Sequence, residues 1–161
     1  MTPAPAHHRD HGGGASAAGA STPDKDELKR AIADFTPTLL SEIAENWAEA
    51  VAREGGNTKN KSTQLRRFYN EVCHWHEQAG RAGRSFAEIL PFVLMIKAKV
   101  AYAQARGHVG DIYYAMICAG LEAIHKGKSE EEQRQRLEGL KLFLEAFTGF
   151  HAAEEKSKGQ K

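Results

Sequence analysis

Cationic and aromatic residues recur at helical spacing in the middle of the chain. Lys99, Tyr102 and Arg106 follow one another at steps of three and four, so on a helix they form one line with a ring between two cations. On an earlier segment, Arg67 and His74 are seven residues apart and therefore share a helix face. Arginine binds phosphate oxygens through its planar fork, and tyrosine stacks on bases or donates a hydrogen bond. The spacing indicates contact with a nucleic-acid backbone, although solvated cations around a tyrosine at the edge of the core would show the same pattern.

The charged residues are unevenly distributed along a chain whose formal net charge is only +1. Residues 55–106 contain nine lysines and arginines but three glutamates, whereas residues 24–54 contain four basic and eight acidic residues. This segregation predicts a basic surface for a polyanion and a separate acidic surface for another partner. A basic face that is merely solvated is the alternative that charge alone leaves open.

No set of residues has the spacing of a catalytic or metal site. His74 and His76 are two residues apart, which on a helix turns their side chains by roughly 200° and prevents them from sharing a metal ion. Cys73 and His74 are adjacent and diverge for the same reason. The sequence also lacks a glycine-rich loop followed by the lysine that phosphate-loop enzymes use. We therefore expect no catalytic residue, metal or cofactor, and a small helical enzyme that uses Cys73 or His74 is the weakest alternative.

The composition predicts one folded domain between two tails. Hydrophobic residues make up 41% and charged residues 27% of the 161 residues, which is typical of a globular protein. Seventeen of residues 1–23 are Ala, Gly, Pro, Ser or Thr, so this segment is expected to be a disordered tail. The helical domain is expected over residues 24–155, followed by a charged C-terminal tail over 156–161. Two cysteines, no apolar run of roughly 20 residues and no secretory signal predict a cytoplasmic protein.

Apolar residues recur at intervals of three and four from Asp24 onward, which is the period of a helix. No segment alternates like a strand, and no hairpin turn is recognisable. We therefore predict an all-α fold, a compact bundle of five to six helices. Helix starts are predicted at Thr63, as a cap, and at capping boxes that begin with Ser85 and Ser129. The apolar stripes cover residues 28–35, 39–51, 65–79, 89–103, 112–124 and 137–150.

Two short motifs resemble a known family of helical proteins. Residues 63–72, with the sequence TQLRRFYNEV, resemble the helix that opens the core of the small subunit of type III-A CRISPR effector complexes, the Csm complex. Residues 94–103, LMIKAKVAYA, together with Arg106, are similar to the second signature of that family. The motifs occur in the correct order and start 31 residues apart. The similarity in helical layout extends over residues 35–150 and leaves out the N-terminal tail.

The resemblance implies a non-catalytic subunit, present in several copies stacked along the complex beside the duplex of guide RNA and target RNA. Such subunits contact both RNA backbones without reading sequence. They also bind neighbouring copies, the large signalling subunit and the backbone subunits, while nuclease and cyclic-oligonucleotide activities belong to other subunits. By their positions in the motifs, six residues are the candidate RNA contacts: Arg66, Arg67, Lys97, Lys99, Tyr102 and Arg106.

A protein that accepts any target RNA is expected to use charge and shape, and to leave sequence recognition to base pairing. The acidic segment, residues 24–54, is then expected to meet a basic surface of the next copy or of another subunit. The alternative from a different class is a helical adaptor that self-associates and binds only proteins. Such an adaptor predicts no salt-dependent affinity for RNA, whereas the RNA-contact hypothesis predicts one.

Overall fold

The computed structural model describes residues 22–159, and all regular structure in this range is helical. The prediction of an all-α bundle is confirmed. The tail predicted over residues 1–23 lies outside the described residues except for its last two positions. No helix in the described range is both long and apolar enough to cross a membrane. The elements are α1 (Lys25–Asp34), a π-helical turn (Leu39–Ile43), α2 (Ala44–Gly55), α3 (Ser62–Ala79), α4 (Phe86–Leu94), α5 (Ile96–Ala105), α6 (Asp111–His125) and α7 (Glu130–Gly159).

The helix predicted from the stripe at 89–103 is divided at Met95 into α4 and α5. Pro91 lies inside α4, and a proline has no N–H to donate to the carbonyl group four residues before it. At Met95 the chain forms a hydrogen bond of the tighter 3₁₀ type. The Ala98 N–H donates to the Met95 carbonyl oxygen, three residues back, at 3.0 Å. When α4 and α5 are counted as one interrupted helix, the described residues contain the six helices that the apolar stripes predict.

Helix α7 is the centre of the bundle. It packs most extensively against α2 and α3, and it also contacts α1, α4, α6 and the π-helical turn. Its apolar stripe is buried as predicted, from Leu137 to Phe147. Gly120 of α6 approaches α7 so closely that a Cβ atom there would lie 2.6 Å from Leu140 Cδ1. The helices therefore share one continuous apolar core around α7.

The start of α3 is held by the end of α7. Glu155 accepts hydrogen bonds from the Ser62 N–H, at 3.0 Å, and from the Ser62 hydroxyl group. The prediction that Thr63 caps α3 is therefore wrong, because the acceptor comes from a residue 93 positions away from Ser62 in the chain. His151 is buried beside this cap with its Nδ1 3.4 Å from the Ser62 oxygen, and burial lowers its pKa. Helix α7 runs on to Gly159, so residues 156–159 of the predicted charged tail are helical.

Glutamates from other helices also cap α4 and α6. Ser85 caps α4 as predicted, since its hydroxyl oxygen accepts a hydrogen bond from the Ala87 N–H at 3.3 Å. The capping box itself does not form, because the Glu88 N–H donates to the Ser85 carbonyl oxygen at 3.2 Å and not to the Ser85 side chain. Glu130 of α7 accepts from the same Ala87 N–H at 3.2 Å and from the Ser85 hydroxyl group at 2.8 Å. Glu54 of α2 accepts from the Ile112 N–H at 2.7 Å at the start of α6. Carboxylates at these positions also complement the positive ends of the helix dipoles.

Asn60 joins the loop between α2 and α3 to the loop between α5 and α6. It is 1% exposed and adopts a left-handed backbone conformation with φ 56°. Its N–H donates to the His108 carbonyl oxygen at 3.0 Å, and its side-chain oxygen accepts from the Gly110 N–H at 2.8 Å. A Cβ atom at Gly110 would lie 1.6 Å from Glu54 Oε1, so any other residue there would displace the Glu54 side chain. These contacts hold the end of α5 next to the start of α3.

Helix α1 packs against α6 and α7 and is joined to α6 by one ion pair. Glu122 of α6 lies between two lysines, with Lys126 Nζ 2.7 Å from Oε1 and Lys29 Nζ 2.8 Å from Oε2. Hydrogen bonding with Lys126, and then with Lys29, lowers the pKa of the Glu122 carboxyl group to about 2. Leu28 and Ile32 of α1 are buried in the common core. Helix α1 is therefore part of the same folding unit as the rest of the bundle.

Replacing Gly110 with alanine is expected to lower the free energy of unfolding by about 1–3 kcal/mol, because the methyl group would displace the Glu54 carboxylate from its cap. The matched control is Gly149→Ala on the exposed side of α7, where a Cβ atom meets nothing within 4 Å. This control is expected to raise the free energy of unfolding by roughly 0.5–1 kcal/mol. Urea unfolding measures both changes. A Gly110→Ala variant as stable as the original would show that the bundle does not depend on this junction.

Candidate nucleic-acid interface

Helices α3 and α5 lie side by side and run in opposite directions. Glu71 of α3 forms an ion pair with Lys99 of α5. One turn further along α3, the ring of Trp75 stacks on Phe92 of α4, with the ring centroids 5.0 Å apart. The residue contacted on α3 therefore rises from 71 to 75 while its partner on α5 and α4 falls from 99 to 92. This antiparallel register places the two sequence motifs opposite each other.

A cleft of about 660 Å³ lies between α3 and α5. It brings together four of the six predicted RNA-contact residues: Arg67 on the α3 side, and Lys99, Tyr102 and Arg106 on the α5 side. The spacing of three and four therefore does place Lys99, Tyr102 and Arg106 along one wall. The residues that line the cleft are Gln64, Arg67, Phe68, Glu71, Met95, Ala98, Lys99, Tyr102, Ala103, Arg106 and His108.

Tyr102 and Arg106 form a pair at the open side of the cleft. Arg106 Nη1 donates to the Tyr102 hydroxyl oxygen at 3.0 Å, and the guanidinium carbon lies 5.6 Å from the centroid of the ring. The Tyr102 side chain is 62% exposed, so this tyrosine is not a core residue. The pair therefore presents a guanidinium group, a hydroxyl group and an aromatic face to solvent.

Glu71 compensates part of the positive charge in the cleft. It pairs with Lys99, and the Lys99 side chain is 45% exposed while that of Glu71 is 20% exposed. Arg67 contacts the Gln64 side-chain oxygen at 3.5 Å, and neither Arg67 nor Arg106 forms an ion pair with any residue of the described range. The cleft therefore has two guanidinium groups without an acidic partner among the described residues, on opposite walls, and one lysine whose charge is partly balanced by Glu71.

Three polar residues of the cleft are absent from the predicted contacts: Gln64, Glu71 and His108. Gln64 and Glu71 are three residues before and four residues after Arg67, so helical spacing is a signal that could identify them. His108 lies in the loop after α5 and is positioned there through its carbonyl bond with Asn60. No sequence pattern indicates that contact, because its partners belong to different loops.

Arg66 and Lys97 lie outside the cleft. Both are exposed, and Arg66 is turned by about 100° from its neighbour Arg67 on α3. Lys97 faces a separate depression between α5 and α6, which Cys118 and His125 also line. The fold therefore groups four of the six predicted contacts and separates these two from them.

The family model described as Csm2 Type III-A matches residues 35–157, which include both walls of the cleft. The chain belongs to this Csm2 family. It is therefore a small subunit of the type III-A CRISPR Csm complex, and the resemblance carried by the two motifs is confirmed. Membership of the Csm2 family implies association with the other subunits of that complex. No curated protein and no solved structure matches the chain.

Cys73, His74 and His76 of this Csm2-family chain have different neighbours. Tyr69 lies against Cys73, and burial together with the hydrogen bond to Cys73 raises the pKa of Tyr69 to about 12. The His74 ring packs edge-on against Trp75 at 4.7 Å, and burial lowers the pKa of His76. Within residues 22–159, no group of three or more His, Cys, Asp or Glu side chains could hold a metal ion.

Proposed function

We propose that this Csm2-family subunit binds the backbones of guide RNA and target RNA along the cleft between α3 and α5, without reading their sequence. The observation that supports this most is the convergence of Arg67, Lys99, Tyr102 and Arg106 on one cleft from two separate motifs. Cations that face each other across a cleft concentrate positive potential, whereas incidental surface cations are scattered. The arrangement therefore suits a polyanion that runs along the cleft.

Each side chain of the cleft offers an interaction that backbone binding can use. The guanidinium groups of Arg67 and Arg106 can each bind phosphate oxygens through paired hydrogen bonds. Tyr102 offers a ring for stacking and a hydroxyl group for a phosphate or a ribose. Lys99 supplies a compact charge when its ion pair with Glu71 opens. None of these interactions depends on base identity, so sequence recognition is left to base pairing.

Arg66 and Lys97 are secondary RNA contacts in this proposal. Both are exposed, but they lie outside the cleft. A strand bound in the cleft reaches them only at its edges. Their contributions to affinity are therefore smaller than those of Arg67 and Lys99.

The subunit acts without catalysis and without a metal or cofactor, as one of several cytoplasmic copies stacked along an antiviral effector complex. Its protein partners are neighbouring copies, the large signalling subunit and the backbone subunits. A non-catalytic role is supported by Cys73 and His74, which form no hydrogen bond with each other in the described range, whereas a nucleophile and its base must be within hydrogen-bond reach. Chemistry on RNA is left to other subunits.

Contacts between copies use the acidic side of α2 and of the turn before it. Glu42 and Glu45 are exposed and Glu49 is half-buried, and steps of three and four place them in one line. These acids belong to different elements from those that form the cleft. In a head-to-tail stack, this acidic line faces the basic surface of the next copy or of another subunit.

The purified protein is expected to bind unrelated RNA sequences with similar affinity, and this affinity should fall as salt rises, because phosphate binding releases counterions. Arg67→Ala, Lys99→Ala and Arg106→Ala should each reduce the slope of log affinity against log salt by roughly 0.7, as expected for one lost contact to a single strand. Lys97→Ala should cause a smaller reduction. Titrations of each variant over a salt series measure these slopes.

Lys128→Ala is the matched control for these titrations, since it removes one exposed cation outside the cleft and should leave the slope unchanged. Affinity that depends strongly on sequence, or that does not respond to salt, would contradict backbone binding. If the isolated chain binds no RNA, the cleft variants are compared within the assembled Csm complex. A complex that then retains its full affinity for RNA would favour the adaptor that binds only proteins.

Replacing Glu71 with glutamine is expected to raise the affinity for RNA several-fold and to steepen its salt dependence. The change frees Lys99 and removes a carboxylate that repels phosphate from the cleft. Glu77→Gln is the matched control, because Glu77 is exposed on the same helix but does not line the cleft. Equal affinities of the original protein and Glu71→Gln would show that Lys99 does not contact phosphate.

Reversing Glu42, Glu45 and Glu49 to lysine is expected to weaken incorporation of the subunit into the Csm complex, because like charges would then face each other. The number of copies in purified complexes measures incorporation. The matched control applies the same charge change to three exposed acids of α7: Glu131, Glu138 and Glu145. Equal incorporation of the two triple variants would argue against a contact through α2.

A further inference from the structure

We propose that Phe92 and Met95, which lie beside and at the edge of the cleft, form a stacking site for one unpaired RNA base. This inference rests on the proposed RNA binding and adds a contact to the base itself. It concerns two residues that are not among the six predicted RNA contacts. Both are among the most exposed large apolar side chains of the described range. Their exposure needs an explanation, because the core buries apolar residues on every helix.

The two residues continue the cationic line of the cleft. Met95 lies one turn before Lys99, and Phe92 lies one turn before Met95, so they belong to the side of α4 and α5 that carries Tyr102 and Arg106. Met95 lines the cleft directly, and Phe92 contacts α3 through Trp75. An RNA strand held at Lys99 therefore passes this apolar surface within two helical turns.

Trp75 supports Phe92 as a flat platform. The two rings stack with centroids 5.0 Å apart and an angle of 14° between their planes. Trp75 is half-buried against the core and also contacts His74, with the ring centroids 4.7 Å apart and the rings nearly perpendicular. Phe92 nevertheless remains 44% exposed, so it can accept another ring. Phe92 is already held against Trp75, so a base that stacks on it loses little additional side-chain entropy.

The chemistry of the surroundings favours an RNA base over a protein surface. The platform adjoins Lys99, and Arg67 lies on the opposite wall, so a phosphate next to the bound base meets cations. Two exposed apolar side chains are far less than the roughly 800 Å² that each partner of a standard protein interface contributes. The base must be unpaired, because a base within a duplex is covered on both faces by its neighbours. Stacking tolerates every base, which agrees with binding that does not read sequence.

The test compares two single-stranded RNA oligonucleotides of equal length, one with bases and one abasic, which carry the same phosphates. The full chain should bind the strand with bases more tightly. Phe92→Leu keeps an apolar cover over Trp75 but removes the ring. It should weaken binding of the strand with bases by about fivefold or more and leave binding of the abasic strand unchanged. Arg106→Ala should weaken both.

The matched control is Phe35→Leu, because Phe35 is 52% exposed and lies outside the cleft. This control should alter neither affinity. If neither strand binds, free or in the assembled complex, the proposed function fails and the stacking site with it. If both strands bind and Phe92→Leu affects them equally or not at all, the stacking site is wrong and backbone binding stands. If Phe92→Leu instead reduces incorporation into the complex without a base-dependent loss, the surface contacts a protein subunit and the inference is overturned.

Discussion

The antiparallel register of α3 against α4 and α5 is the constraint on which the candidate interface depends. A shift of one residue along α3 would turn its side chains by about 100°, and Arg67 would no longer face the wall that carries Lys99. The register is fixed near both ends of the cleft. At one end Asn60 joins the loops before α3 and after α5, and at the other end Trp75 stacks on Phe92. The cleft is thus a property of tertiary packing as much as of charge.

The distribution of charge along the chain is partly explained by helix capping. Glu54, Glu130 and Glu155 all lie outside the basic segment 55–106, and they cap the starts of α6, α4 and α3. Two of these three helices begin within the basic segment. These three acids therefore bind backbone N–H groups at helix starts and form no ion pair with the cations of the cleft. Net charge counted along the sequence therefore overstates the acidity of the surface outside residues 55–106, because some of the acids counted there are bound at helix starts.

Patterns within a single helix predict this protein well. The apolar stripes give the helices and their buried sides, and Ser129 caps α7 as predicted, with its Oγ accepting from the Glu132 N–H at 3.1 Å. The other half of the predicted capping box is displaced by one residue, because the Glu132 carboxylate accepts from the Lys128 N–H. The line through Lys99, Tyr102 and Arg106 is also correct, because spacing on one helix fixes relative direction. The position of Lys97 outside the cleft follows from the same spacing, since two residues turn it roughly 200° from Lys99. Contacts between helices are not predictable in this way. The cap on α3 and the pairing of Lys99 with Glu71 instead depend on which helices become neighbours.

The region of family similarity and the folding unit do not begin at the same residue. The match starts at Phe35, the left-handed residue that ends α1, whereas Leu28 and Ile32 of α1 are buried against the bundle. A fragment cut at the family boundary would lose these side chains and leave Glu122 with one of its two lysine partners. The apolar surfaces of α6 and α7 that α1 covers would then be exposed to water and would promote aggregation. For expression of this chain, the useful N-terminal limit lies ahead of Asp24, which caps α1.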